Sequence, residues 1–212
     1  MNVLVLGPQG SGKGTQAKRI SAAHGVPHVS TGDMFRAAIA EGTELGRQVE
    51  PILASGELVP DELTIALIRD RFSDDDAAGG FVLDGFPRNL VQAEALDEML
   101  RSIGRPLDAV LFFDLDDETA TRRVSGRAHE EGRNDDAPEV MARRLAIYHG
   151  QTEPVVERYR VAGTLHTLNA GRSVDDVFAE IETALATSPG QSRPVGRGGA
   201  GGGSHSRREA SP

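Results

Sequence analysis

The chain has 212 residues, with 32 acidic side chains against 23 lysines and arginines, a formal net charge of −9 and no cysteine. The acidic balance argues against a nucleic-acid-binding protein, which carries a basic face, and the lack of cysteine excludes both a disulfide framework and a thiolate metal site. No stretch approaches the ~20 apolar residues of a membrane span and no signal peptide is recognisable at the start, so we expect a cytoplasmic enzyme domain that does not bind membranes.

The first elements are a strand, a glycine-rich loop and a helix. An apolar run at 3–6 predicts the strand, residues 7–15 are Gly-Pro-Gln-Gly-Ser-Gly-Lys-Gly-Thr, and a helix-forming stretch occupies 13–23. Glycines let backbone N–H groups wrap a phosphate, the helix N-terminus adds its positive dipole end, and the Lys13 ammonium reaches the outer phosphates. The general pattern has Ser or Thr directly after the lysine to hold Mg²⁺, whereas here Gly14 precedes Thr15. The loop predicts a nucleoside triphosphate site in which Thr15 is not assigned as a direct metal ligand.

A second motif follows the next long strand. After a short strand at 26–29 and helices at 33–40 and 61–72, an apolar run at 81–83 leads into Asp-Gly-Phe-Pro-Arg at 84–88. A strand that ends in an aspartate is how many phosphate-loop proteins place a carboxylate near Mg²⁺. Gly85 and Pro87 force a sharp turn, so that Arg88 can swing back over the strand ends toward an anion.

The remaining elements continue the alternation. Strands are expected at 109–113 and 164–168, and helices at 89–103, 117–124, 139–159 and 174–186. Strands separated by helical crossovers form a parallel sheet covered on both faces. We therefore predict an α/β fold of the P-loop NTPase type, with a central five-stranded parallel sheet. Ligands of such sheets bind beyond the carboxyl ends of the strands, where the glycine loop, Asp84 and Arg88 converge.

The end of the chain differs in composition from the rest. From 187 to 212 Ser, Pro, Gly and Arg dominate. Such a segment offers no apolar face to bury, so we predict a disordered tail.

Several motifs together resemble the adenylate kinase family of nucleoside monophosphate kinases. Besides the two motifs above they are His-Val-Ser-Thr-Gly-Asp-Met-Phe-Arg at 28–36, Gln92, Arg-Val-Ser-Gly-Arg at 123–127, Arg-Asn-Asp at 133–135 and Arg-Arg-Leu-Ala-Ile-Tyr at 143–148. The resemblance covers residues 1–186. It implies one kinase domain over 1–186, with a small monophosphate-binding lobe at 30–59. It also implies the short form of the lid, at 126–132, without the cysteine zinc site that longer lids often carry.

The resemblance also implies which residues bind each nucleotide. Those implied for ATP are the glycine loop, two flanking arginines and the backbone near the base: Gly10, Ser11, Gly12, Lys13, Gly14, Thr15, Arg123, Arg127 and Arg172. Those implied for AMP are Thr31, Arg36, Glu57, Leu58, Val59, Gly85, Phe86, Pro87, Arg88, Gln92, Arg133 and Arg144. Gln92 would contact the adenine edge, and the implied catalytic set is Lys13, Arg88, Arg123, Arg133 and Arg144.

The implied reaction is the reversible, Mg²⁺-dependent transfer of the terminal phosphoryl group of ATP to AMP, which gives two ADP. The attacking phosphate oxygen is already anionic, so no catalytic base is required, and the problem is repulsion between two polyanions. Lys13, the arginines and Mg²⁺ would stabilise that charge in a site from which closing lobes exclude water. Magnesium would be held by phosphate oxygens and by waters on Asp84 and Asp33.

Two other functions stay open at this point. UMP/CMP kinases share the phosphate loop, the short lid and the Asp-Gly-Phe-Pro-Arg segment, but Thr31 and Gln92 favour adenine because those relatives typically have Ala and Asn there. The other is a non-catalytic regulatory protein that binds ATP, although the arginines expected for transfer are present. The predicted partners are ATP, AMP and ADP, with no nucleic acid or membrane, and the family expectation is a monomer.

Overall fold

The computed structural model describes residues 1–131 and 137–187. The strands are β1 Asn2–Leu6, β2 His28–Ser30, β3 Phe81–Asp84, β4 Ala109–Asp114 and β5 Leu165–Asn169. The helices are α1 Lys13–His24, α2 Thr31–Ala40, α3 Glu44–Ser55, α4 Asp61–Arg71, α5 Leu90–Ser102, α6 Asp117–Glu131, α7 Pro138–Ile147, α8 Glu153–Val161 and α9 Val174–Thr187. A 3₁₀ turn at Asp75–Gly79 precedes β3, and a π-helical turn at Tyr148–Thr152 joins α7 to α8.

The five strands form one parallel sheet in the order β2-β3-β1-β4-β5, which confirms the predicted fold class. All five residues of β1 are buried because the strand is central and covered on both faces. After β1, strands β2 and β3 lie on one side of it, and the later strands β4 and β5 lie on the other side. The strand order therefore changes direction at β1, and the crevice beyond its carboxyl end is the expected ligand position.

Alternate residues of the strands pack into two separate apolar layers, as the period of a strand requires. Leu4 and Leu83 point to the layer that includes Leu96 of α5 and Val155 of α8. The opposite layer contains Val3, Val5 and Leu111 with Ile20 of α1 and Ile181 of α9. These two layers fix the strand ends that carry the phosphate loop and Asp84.

Helices α2, α3 and part of α4 enclose a small apolar cluster of their own. Phe35, Val49 and Val59 are buried in it. Helices α2 and α3 approach each other closely at Gly46, where an added Cβ would lie 2.1 Å from the carbonyl oxygen of Ala38. The buried residues of this cluster lie within the segment 30–59 that was predicted to form the monophosphate-binding lobe, and Leu63 and Leu67 of α4 extend the packing beyond it. We refer to helices α2–α4 as the acceptor lobe.

The predicted elements agree with the observed ones except in three places. Helix α3 was not predicted as a separate element. The helix expected over 139–159 is divided by the π-helical turn, and the helix expected over 117–124 continues to Glu131. The predicted lid at 126–132 therefore overlaps the end of α6, and its last residue and the tail from 188 lie outside the described residues. In the described part of the chain, no helix is long and apolar enough to cross a membrane.

Candidate active site

A cleft of about 620 Å³ opens beyond the carboxyl ends of the strands. It is bounded by the glycine loop, the turn after β3, the acceptor lobe and helices α6 and α7. Its cationic lining residues come from all of these elements: Lys13, Lys18, Arg19, Arg36, Arg88, Arg123 and Arg144. The fold thus brings together residues that are more than 130 positions apart in sequence into one electropositive cavity suited to polyanions.

The glycine loop leads directly into α1 with backbone conformations that favour glycine. Gly10 and Gly12 have φ angles of 81° and 83°. A Cβ at Gly10 would lie 2.5 Å from the carbonyl oxygen of Ala120, whereas at Gly12 it would meet nothing within 4 Å. Gly12 caps α1 without a side-chain hydrogen bond, which leaves the first N–H groups of the helix available to an anion.

Lys13 and Ser11 place two polar groups at this loop. The Lys13 ammonium donates a hydrogen bond of 3.0 Å to the carbonyl oxygen of Pro8. Ser11 is buried, and its hydroxyl oxygen finds no hydrogen-bond partner among the described residues. Unlike Gly10, Gly12 and Lys13, Ser11 does not line the cleft, so the structure does not bring its side chain to the predicted phosphate site. Gly14 and Thr15 complete the loop wall of the cleft.

Asp84 lies at the carboxyl end of β3, between two neighbouring strands. It pairs in register with Val5 of β1 and with Ser30 of β2. Only 8% of the residue is exposed, and a Cβ at Gly14 would be 3.4 Å from its Oδ2. The carboxylate therefore lies against the N-terminus of α1, as the sequence predicted.

The Asp84 carboxyl remains ionised although it is buried. Burial raises its pKa, but the His28 ring and the charges of Lys13 and Arg88 lower it more, so that the pKa lies below its ordinary value. His28 Nε2 is 3.5 Å from Asp84 Oδ2, which is long for a hydrogen bond, and this nitrogen has no other partner in the described part of the chain.

A second acidic side chain faces the same cavity from α2. The hydroxyl of Ser30 accepts the backbone N–H of Asp33 at 3.3 Å and caps the helix. The carboxylate of Asp33 accepts a hydrogen bond of 2.5 Å from Arg36. Burial raises the pKa of Asp33, but Arg36 outweighs this and holds the pKa below its ordinary value. Asp33 and Arg36 both line the cleft.

The turn after β3 is held by hydrogen bonds that converge on Gly85 and Arg88. The Gly85 carbonyl accepts Thr31 Oγ1 at 2.9 Å and Arg88 Nε at 2.8 Å, and a cis peptide bond joins Phe86 to Pro87. The Arg88 carbonyl accepts the Thr152 hydroxyl at 2.8 Å. The guanidinium of Arg88 thus projects into the cleft from an immobilised backbone.

Gln92 is 1% exposed and lines a small cavity of about 20 Å³ beside the main cleft. Its Oε1 accepts the backbone N–H of Arg88 at 2.8 Å, and its Nε2 donates to Asp61 Oδ1 at 2.8 Å. Thr31 and Val59 line the same cavity, and Glu57 and Leu58 line both this cavity and the main cleft.

The other arginines predicted to contact a nucleotide lie in different places, and Arg172 was predicted to contact the ATP base through its backbone. Arg123 lines the cleft and donates to the carbonyl of Ala170 at 2.9 Å. Arg144 lines it from α7 and reaches the carbonyl of Leu53 in the acceptor lobe at 3.4 Å. Arg172 follows β5 and pairs with acidic residues of α9. The predictions for the side chains of Arg127 and Arg133 lie outside the described residues.

Three residues at the site were not identified from the sequence as functional. His28 contacts Asp84, Asp61 binds the Gln92 side chain, and Thr152 holds the Arg88 backbone. His28 is the first residue of the family motif at 28–36, and its place in that motif is the feature of the sequence that could have identified it. Asp61 and Thr152 have no local sequence signature, because their roles come from contacts between distant segments.

The comparison with known proteins agrees with this geometry. The family model for adenylate kinase matches residues 5–164. The chain is similar to an adenylate kinase of Parvibaculum lavamentivorans, with 49% identity over 191 residues that cover 89% of the chain and 93% of the relative. It is also similar to adenylate kinases of Thermobifida fusca and Stenotrophomonas maltophilia, at 47% and 46% identity, each over 87% of the chain and at least 98% of the relative.

Proposed function

Because the chain belongs to the adenylate kinase family, we propose that its cleft is the site at which it transfers a phosphoryl group between adenine nucleotides. The protein is an ATP:AMP phosphotransferase, and its reaction is the reversible formation of two ADP. A UMP/CMP kinase or a non-catalytic regulator is not favoured. The observation that carries the proposal is the convergence of Lys13, Arg88 and Arg144 from three separate elements on one cleft.

The donor nucleotide would bind to the glycine loop. Backbone N–H groups of Gly10–Thr15 at the start of α1 would surround its phosphates. Lys13 would exchange the Pro8 carbonyl for a phosphate oxygen. Arg123 and Arg127 would flank the triphosphate, and the backbone near Arg172 would contact the base.

The acceptor nucleotide would bind between the turn at 84–88 and the acceptor lobe. Arg88 would hold its phosphate, with Arg36 released from Asp33 to assist, and Thr31 would contact the nucleotide. The backbone at 57–59 would line the base, and the Gln92 amide would hydrogen-bond to the adenine edge. This is consistent with the burial of Gln92 beside that cavity.

Magnesium fits the acidic side of the cleft. Mg²⁺ prefers oxygen ligands, keeps several waters and is usually bound by one or two carboxylates plus substrate phosphates. Asp84 and Asp33 are two ionised carboxylates in the cleft wall, so both would hold the ion through water. When bound with ATP, the ion neutralises charge on the phosphates. The chain has no cysteine for a zinc site.

The residues of the chain would catalyse transfer by charge stabilisation and positioning. The acceptor phosphate is already an anion, so the site needs no proton acceptor. Lys13, Arg88, Arg123, Arg133 and Arg144 would surround the transferring group and offset the charge that develops on it. Closure of the acceptor lobe and the lid would exclude water, and ATP hydrolysis would be suppressed.

The test is a coupled assay in which MgATP is supplied with AMP, UMP or CMP separately. We expect ADP formation with AMP and the reverse reaction from ADP alone, and we expect activity to need Mg²⁺ but no stoichiometric zinc by elemental analysis. ATP hydrolysis or binding without AMP-dependent ADP formation would overturn the proposal. Preference for UMP or CMP would reassign the acceptor.

We also propose that the protein is a cytoplasmic monomer, as the family resemblance implies. Light scattering on the purified full-length chain would measure its mass in solution. A mass twice that of the 22.5 kDa chain would contradict the monomer.

A further inference from the structure

Asp61 binds two side-chain amides at once. It is the first residue of α4, and its Oδ1 accepts Asn89 Nδ2 at 2.9 Å and Gln92 Nε2 at 2.8 Å. Asn89 in turn caps α5, because its Oδ1 accepts the Gln92 backbone N–H at 2.9 Å. A single carboxylate of the acceptor lobe thus orients both amides at the start of α5.

The orientation of the Gln92 amide is fixed from both ends. A carboxylate can only accept and a backbone N–H can only donate. Asp61 therefore requires the NH₂ group on its side, and the Arg88 N–H requires the oxygen on the other. A rotation of 180° about the last torsion would place oxygen against carboxylate and NH₂ against N–H. The assignment of oxygen and nitrogen follows from these neighbours alone.

A fixed amide discriminates between two kinds of purine. After its two internal hydrogen bonds, Gln92 retains one N–H donor and one oxygen lone pair. A 6-aminopurine offers an acceptor ring nitrogen beside an exocyclic amine, which is the complement of that pair. A 6-oxopurine offers a ring N–H beside a carbonyl oxygen, which is the reverse and would require the rotated amide.

We propose that Asp61 is a positioning residue that sets the acceptor specificity for 6-aminopurine over 6-oxopurine monophosphates through Gln92. The inference rests on the proposed contact between Gln92 and the acceptor base. Asp61 lies on α4, while Gln92 and Asn89 belong to the turn and helix after β3. The correct amide orientation is therefore coupled to the packing of α4 against the start of α5.

The experiment measures kcat/KM for AMP and for inosine monophosphate with MgATP in the wild-type chain, Asp61→Asn and Asp61→Ser. Asn is isosteric and keeps an oxygen acceptor, but its NH₂ group can also donate to a rotated Gln92, whereas Ser removes the carboxylate without replacing it by an amide. We expect Asp61→Ser to lower kcat/KM for AMP about tenfold, as for a lost hydrogen bond that leaves a buried group unpaired, and Asp61→Asn to lose less because its oxygen can still accept both amides. We expect the ratio of kcat/KM for AMP to kcat/KM for inosine monophosphate to fall at least as much. The KM for ATP should stay unchanged.

Glu62→Gln is the matched control, because Glu62 also lies in the first turn of α4 and is exposed. It removes the same charge from the same helix end and should leave the ratio unchanged. Melting temperatures of all variants identify any loss of fold. If one of the two Asp61 variants is unstable, the other still provides the measurement. Equal losses for both monophosphates would overturn the proposal and leave Asp61 a structural role. Failure of the wild-type chain to form ADP from AMP would instead refute the proposed function.

Discussion

The donor and acceptor halves of the cleft are built in different ways. On the donor side, the glycine loop uses backbone conformations, with Gly10 in a space that a Cβ cannot enter. On the acceptor side, the shape comes from side chains that bind backbone groups, such as Thr152 on the Arg88 carbonyl and Gln92 on the Arg88 N–H. The phosphate loop of the donor half is thus specified by a short local sequence, whereas the acceptor half depends on residues from separate segments.

The largest effect that this comparison predicts is for Gly10→Ala. The positive φ costs a non-glycine residue about 1–2 kcal/mol, and the Cβ contact of 2.5 Å with the Ala120 carbonyl adds about 1–3 kcal/mol of overpacking. Gly12→Ala is the matched control, since it has the same φ but no close contact and bears only the first cost. Denaturant unfolding measures both. If the two variants lose equal stability, the close approach of the loop to α6 is wrong.

A large loss of turnover is expected for Lys13→Met, with the fold intact. The ammonium stabilises charge that develops during transfer, so kcat should fall on the order of 10²-fold or more. Lys18→Met makes the same change at an exposed position of α1 and should lose much less. Equal losses would show that only the general positive potential of the helix matters, and near-normal turnover of the first variant would remove Lys13 from the mechanism.

On the acceptor side, Gln92→Leu should act on one substrate only. It leaves the adenine edge and the Arg88 N–H without a partner in a buried site, at a cost of about 1–3 kcal/mol. We expect kcat/KM for AMP to fall roughly tenfold or more while the KM for ATP hardly changes, as measured by varying each nucleotide against the other. Equal effects on ATP and AMP, or no effect, would show that the acceptor base is recognised elsewhere.

These two halves also differ in how far the sequence predicts them. The sheet follows from continuous apolar runs, and the phosphate loop follows from glycines whose conformations are a local property. Asp61 and Thr152 were missed because the first contacts Gln92 across 31 positions and the second contacts Arg88 across 64. No local pattern encodes such a pairing.

The π-helical turn explains one of these misses. The segment 139–159 was predicted as a single α-helix although it contains Gly150 and Pro154, the residue types that are least favourable inside a helix. The extra residue of a π turn, often found at functional sites, changes which side chains face the sheet beyond it. Thr152, the last residue of that turn, is directed at Arg88. Gly150 and Pro154 mark the position of the break in the sequence, but the contact that Thr152 makes there with Arg88 is long-range.

The smallest predicted effect lies outside both halves, where His149 joins α6 to α8. Its Nδ1 is 2.8 Å from Glu153 and its Nε2 is 2.9 Å from Asp117. Hydrogen bonds to Glu153 and then to Asp117 raise the pKa of His149 above its ordinary value of 6.5. The folded state therefore binds the proton more tightly than the unfolded chain, and the resulting stability is fully present below pH 6.5 and is lost as the pH rises through the raised pKa.

Replacement of this histidine should remove that pH dependence and leave the cleft unaffected. The side chain is 43% exposed, so solvent screening limits the contribution to about 0.5 kcal/mol. We expect His149→Gln to be less stable than the wild-type chain at acidic pH and equal to it once the histidine is neutral, with unchanged kcat at both. Denaturant unfolding of the two proteins across this range measures the difference. Parallel stability curves would show that the ion pairs contribute nothing in solution, and a change in kcat would show that α6 transmits this contact to Arg123 and the donor half.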